Sequence, residues 1–167
     1  MITAEVKSAL DRGAQKADDF RQAQITAASE IETVGSAAIR ASEGIRHLAG
    51  LLHAISVDVD QRIAGQQHAG RDMDDALGMI LPTAVGTDRL REPIAQLQIA
   101  SAGNEALING LRRLKEQMPD CETRLQGVLQ FLGELASTSA QMGSEFNYQA
   151  VASASAAEHT RAYSSML

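Results

Sequence analysis

The sequence predicts an all-α protein, with long antiparallel helices forming an elongated helical hairpin or bundle with coiled-coil-like packing. Three observations predict it. Apolar and alanine positions recur at alternating steps of three and four through most of the 167 residues. Aromatic residues make up only 3%, with no Trp, so the core is expected to be built from Ala, Leu, Ile and Val at helical spacing rather than from rings. The glycine- and proline-bearing interruptions are few and short. Together these point to a single elongated domain over residues 1–167.

The first element carries the clearest periodicity. Ile31, Val34, Ala38, Ala41, Ile45, Leu48, Leu52, Ile55 and Val59 follow one another at three and four residues without a miss. The stripe extends backwards through Val6, Leu10, Ala17, Phe20 and Ala27, with Thr3, Gly13 and Gln24 as weaker members. A helix from about 2 to 64 follows, with a seam of roughly eight heptads, and a 3.5-residue period calls for a partner helix in a left-handed supercoil. Gly13, Gly35, Gly44 and Gly50 each cost about 1 kcal/mol relative to alanine in a helix, so burial along the seam must offset them. Small residues at a seam also allow two backbones to come close.

Ala64–Gly70, with two glycines, is expected to interrupt the helix. Met73, Leu77, Ile80 and Leu81 then mark a short amphipathic helix over about 71–81, with acids in its first turn. Pro82–Asp88 reads as a loop, with Asp88 as a candidate helix cap and Pro93 as an alternative first residue. A third helix over about 89–118 is stepped by Leu97, Ala100, Asn104, Leu107, Leu111, Leu114 and Met118. Pro119 is expected to kink or end it, and a fourth helix over about 120–164 continues through Leu125, Val128, Leu132, Leu135, Ser139, Met142, Phe146 and on to Tyr163. The stripe weakens after Phe146, so the last turns are expected to fray or to need a partner.

Between Leu125 and Ala157 the only charges are Glu134 and Glu145. A helix with one face in water usually carries more. This segment is therefore expected to be contacted on more than one face. Leu125, Val128, Leu132, Leu135, Met142, Phe146 and Tyr163 are the candidate assembly residues. Asn104 joins them, because a lone Asn in an apolar seam fixes register and oligomer state at some cost in stability.

No catalytic, cofactor-binding or metal-binding residues are expected. His47 and His53 do not share a helix face, Glu43 and His47 form at most a surface pair, and His68 with Asp72 supplies only two ligands. The inward Glu-x-x-His pairs of di-iron bundles are absent, as are a phosphate-cradling loop and a calcium loop with its closing Glu. Cys121 lies between Asp120 and Glu122, which disfavour a thiolate. With 15 basic and 21 acidic residues and a net charge of −6, no segment tracks a nucleic-acid backbone. No apolar run reaches the roughly 18 residues of a membrane span, and the first twenty residues are too charged for a secretory signal. A cytoplasmic protein is expected, or one exported without a cleavable signal.

The function read from these features is a non-enzymatic scaffold or interaction protein. Its expected partner is itself, as a homo-oligomer, or another helical protein, with no nucleic acid, no membrane insertion and no small-molecule substrate. One alternative is a substrate or chaperone of a signal-peptide-independent secretion system. The size and hairpin shape are similar to small Trp-x-Gly secretion substrates, yet the sequence has no Trp, and neither Tyr148 nor Tyr163 is followed four residues later by an acid. Another alternative is a signalling coiled-coil rod, which the Ala/Ser/Glu-rich stretch from Ile25 to Gly44 resembles.

Overall fold

The computed structural model describes residues 2–82 and 88–167, without the side chain of Ile2. The fold is an all-α helical hairpin: two long helices packed against each other, with no strand among the described residues. Helix α1 spans Ile2–Ile80 and helix α2 spans Arg91–Ser165, preceded by a short 3-10 turn at Asp88–Leu90. The N–H of Leu81 closes α1 on the carbonyl of Leu77 at 2.9 Å. The anticipated loop at Pro82–Asp88 lies mostly outside the described residues, since 83–87 are not among them.

Two of the expected interruptions are absent. The separate helices at about 2–64 and 71–81 are one helix, and those at about 89–118 and 120–164 are another. Helix propensity alone is a weak force, and a packed seam overrides it. Gln66, Gly70, Met73 and Leu77 continue the seam rows across Ala64–Gly70, so packing spans the glycines. Pro119 lies inside α2 on an exposed position, and the burial rhythm of Met118, Glu122 and Leu125 passes it without a slip. The C-terminal turns, expected to fray or to need a partner, are helical to Ser165 with α1 packed on them, and Ala150, Ala157 and Ser164 are buried.

The seam itself differs from the expected stripe by one residue on every second row. The observed contact positions of α1 are Ala28, Ile31, Gly35, Ala38, Ser42, Ile45, Ala49, Leu52, Ser56 and Val59. The row of Ile31, Ala38, Ile45, Leu52 and Val59 is as read from the sequence. The other row is Gly35, Ser42, Ala49 and Ser56, in place of Val34, Ala41, Leu48 and Ile55, all of which are exposed. The same displacement occurs in α2, where Ser101, Ile108, Leu129, Ala136, Gly143, Ala150 and Ala157 face the seam in place of Ala100, Leu107, Val128, Leu135, Met142, Gln149 and Ala156. Both choices step three and four, so periodicity alone does not separate them.

Two helices alone bury only a narrow strip, and the strip chosen here lets the backbones approach. A β-carbon built at Gly35 would lie 3.1 Å from the Ser139 β-carbon and 3.8 Å from the Ala136 carbonyl oxygen. One built at Gly143 would lie 3.9 Å from the Ala28 carbonyl oxygen. Larger side chains in these rows would hold the helices apart.

The chain divides into two compact units, although the sequence reads as one domain. The first pairs Met1–Ile45 with Val128–Leu167, and the second is Arg46–Gly127. The first unit has a small-residue seam in which a buried polar residue, Gln24, is hydrogen-bonded across the helices. Gln24 donates to Gln149 Oε1 at 2.8 Å and accepts from the Ser153 hydroxyl at 3.2 Å. Nearer its end, the Ser164 hydroxyl donates to Asp11 at 2.6 Å and Arg161 pairs with Asp18. In the second unit Asp60 pairs with Lys115, and the Ser101 hydroxyl donates to Asp74 at 3.2 Å. These contacts set 60 opposite 115 and 74 opposite 101.

Candidate association surface

Heptad positions sort the rest of the surface. With Gly35 and its row named a, and Ala38 and its row named d, the row just before a is g and the row just after d is e. When one helix runs opposite to the other, both g rows fall on one side of the pair and both e rows on the other. The cross-helix pair of Asp18 with Arg161, both at e, agrees with this assignment.

In the second unit the two sides differ in chemistry. The e side carries Asp60, Gln67, Asp74, Glu105 and Arg112, and it holds an open groove of about 760 Å³ flanked by Gln67, Arg71, Asp74, Asn104, Glu105 and Arg112. Two guanidinium groups are set against two carboxylates there, so the groove has no surplus charge with which to collect an ion. At its floor Asn104, 9% exposed, donates from Nδ2 to the Gln66 carbonyl at 2.8 Å. Its Oδ1 is buried without a hydrogen-bond partner. Gly70 makes room for this amide, because a β-carbon at 70 would lie 2.8 Å from Nδ2. A buried acceptor left unpaired costs about 1–3 kcal/mol, which is tolerable where one register must be singled out.

The g side of this unit is aliphatic. Leu48 (51% exposed), Ile55 (50%), Leu107 (48%) and Leu114 (45%) lie along it, with Leu51 beside Leu48. Arg62 is the one charged g residue. Its Nε donates to Asp58 Oδ2 at 2.7 Å, and this hydrogen bond, followed by the charge of Asp58, raises the guanidinium pKa above its ordinary value. The free thiol of Cys121 is exposed in the same row.

In the first unit the g side presents Phe20, Val34, Val128, Met142 and Tyr163, all exposed, and Leu135, half-buried. The opposite side is mixed: Asp11, Asp18, Glu32 and Arg161 stand among Ile25 and Ile39.

The candidate assembly residues thus separate into two groups. Asn104, Leu125, Leu132 and Phe146 occupy the d row and are engaged by the chain's own α1. Val128, Leu135, Met142 and Tyr163 occupy the g row of the first unit, and of these only Leu135 is even half-buried. Sequence reasoning missed Leu48, Ile55, Leu107 and Leu114 as surface residues, since it placed them in the seam. It also gave Gln24 little weight, although Gln24 lies seven residues before Ile31 in the d row and so was marked for burial.

Among the described residues no cluster of three His, Cys, Asp or Glu is placed to hold a metal ion, and no helix is long and apolar enough to cross a membrane. The ion pairs Asp58–Arg62 and Asp120–Arg124, at 2.7 and 2.9 Å, are exposed and screened by water, so they add little to stability. No family model, curated protein or solved structure matches the chain.

Proposed function

We propose that this chain is a non-enzymatic assembly protein that works by associating through its helical faces, with copies of itself or with another helical protein. The observation that carries this reading is the row of large aliphatic side chains left in water beside a seam of small ones. Among the described residues no large side chain is fully buried. The hairpin therefore keeps much of its apolar material for something outside it.

Surface area supports the same reading. A compact monomer of 17.8 kDa exposes about 8000 Å², whereas this chain exposes 11906 Å². The difference, about 3900 Å² on one chain, exceeds the roughly 1000–2500 Å² that each partner of an obligate interface buries, so the surface is ample for one.

Light scattering coupled to size exclusion, with helicity followed by circular dichroism across dilution, tests the reading. The purified chain is expected to elute as an oligomer whose helicity falls as it is diluted and dissociates. A 17.8 kDa species with undiminished helicity at every concentration would remove self-association. Helicity restored only by adding a second helical protein would assign the surface to that protein.

A further inference from the structure

We infer that the g side of the second unit is a two-fold interface between two copies of this chain, built from Leu48, Ile55, Leu107 and Leu114. This rests on the assembly reading above and names its partner and its face.

The argument begins with placement. Asp60 opposite Lys115 and Asp74 opposite Ser101 fix the pairing of α1 and α2. In that register Arg62 is level with Leu114 and Ala69 with Leu107, while Ile55 is level with Cys121. The large g residues therefore come from α1 along one half of the side and from α2 along the other. Where one helix supplies Leu or Ile, its neighbour at that level supplies a smaller residue or, at Arg62, one whose charge is already paired to Asp58.

That pattern is self-complementary. A two-fold axis crossing the side between Ile55 and Leu114 lays the Leu48–Ile55 stretch of one copy on the Arg62–Ala69 stretch of the other. It likewise lays Leu114 over Cys121. At Leu48 and at Leu114 a large side chain then meets a small one, as interdigitated layers require. Arg62 offers its methylene stem to the partner's Ile55 and keeps its head with Asp58 at the rim. A two-fold contact uses the same patch on both copies, so a patch that fits its own rotated image closes the assembly at two.

Charge selects this side over the other. Two copies with a net charge of −6 each repel unless they meet through neutral surface. The g side supplies that surface, whereas the e side would bring Asp60, Asp74 and Glu105 together with Arg71 and Arg112 and strip water from all of them. A ligand for the e-side groove finds no such support, since its charges balance within the chain.

Sedimentation equilibrium on the full chain decides the matter, comparing the native protein with Leu48→Glu/Leu107→Glu and with His53→Glu/Gln98→Glu, which alters exposed positions on the opposite side. The native chain is expected to sediment as a dimer. The first variant should weaken dimerisation at least about a hundredfold, since it buries carboxylates in an apolar contact, and the second should leave it within a few-fold. A native dimer that survives Leu48→Glu/Leu107→Glu overturns the assigned face while leaving self-association standing. A native monomer overturns both. Should the first variant lose its helicity, labelling of native Cys121 by a thiol reagent replaces it. Labelling that slows as concentration rises supports the interface, and labelling indifferent to a demonstrated dimer contradicts it.

Discussion

Replacing Pro119 by alanine is expected to raise the thermal midpoint by roughly 6–12 °C, following from the about 3 kcal/mol by which proline is disfavoured in a helix interior. Pro119 stands within α2, on an exposed position of the e row. Its ring gives no N–H to the carbonyl of Lys115 and crowds that turn. Backbone conformation at Met118, the residue before it, is restricted as well, although Met118 is 4% exposed and sits firmly in the seam. The Thr123 hydroxyl donates to the Pro119 carbonyl at 2.8 Å, which leaves the Lys115 carbonyl without its helical donor. Alanine restores the missing donor and keeps the heptad register. Calorimetry on the two proteins at equal concentration reads the difference. A lowered midpoint would mean that the seam on either side of Pro119 depends on a bend that only proline supplies.

Leucine at Ala157 is expected to destabilise the chain by about 1–3 kcal/mol, the usual cost of forcing extra methylenes into a close-packed site. Ala157 is 0% exposed and lies in the a row of the first unit, where the opposing helix leaves no space for a longer side chain. The neighbouring Ala156, exposed in the g row, provides the contrast. Leucine there should stay within about 0.5 kcal/mol of the native protein. Urea unfolding followed by circular dichroism, run on both variants, compares the rows directly. Equal effects at 156 and 157 would show that the two positions share one environment, contrary to the assigned seam.

Much of this fold was legible in the sequence, and the parts that were not have physical reasons. The three- and four-residue steps announced paired helices, and the d row from Ile31 to Val59 and from Leu97 to Thr160 was correctly read. The a row was not. Given a choice between Val34 and Gly35, or Leu48 and Ala49, hydrophobicity favours the larger member. At these positions the seam takes the smaller member, because close approach needs the absence of a side chain as much as the presence of one, although at 128 and 129 it takes the larger Leu129. Gly65 and Gly70 read as a break, and Pro119 as a kink or an end, because propensity counts against them locally, while the packing that spans them is non-local and has no signature in a short window. Asn104 stood out as a polar residue on an apolar row, but its partners did not. The Gln66 carbonyl and the vacancy at Gly70 become relevant only once α1 is folded against α2. Leu48, Ile55, Leu107 and Leu114 are placed in the seam by the sequence stripe, and the structure leaves them exposed.

The central claim is that the hairpin closes on the a row of Gly35 and Gly143, with Gly35 set against Ser139, leaving the g row of Val34 and Met142 outside. Cysteine pairs test it most directly, made in a Cys121→Ser background and oxidised at dilutions where copies are apart. The Gly35→Cys/Ser139→Cys pair, whose β-carbons would stand 3.1 Å apart, lies close to the distance a disulfide spans. It should lose both thiols within a single chain, as read by intact mass and thiol titration, while Val34→Cys/Met142→Cys stays reduced. Rapid closure of the 34–142 pair with 35 and 139 left as free thiols would place the seam on the other row and contradict the account.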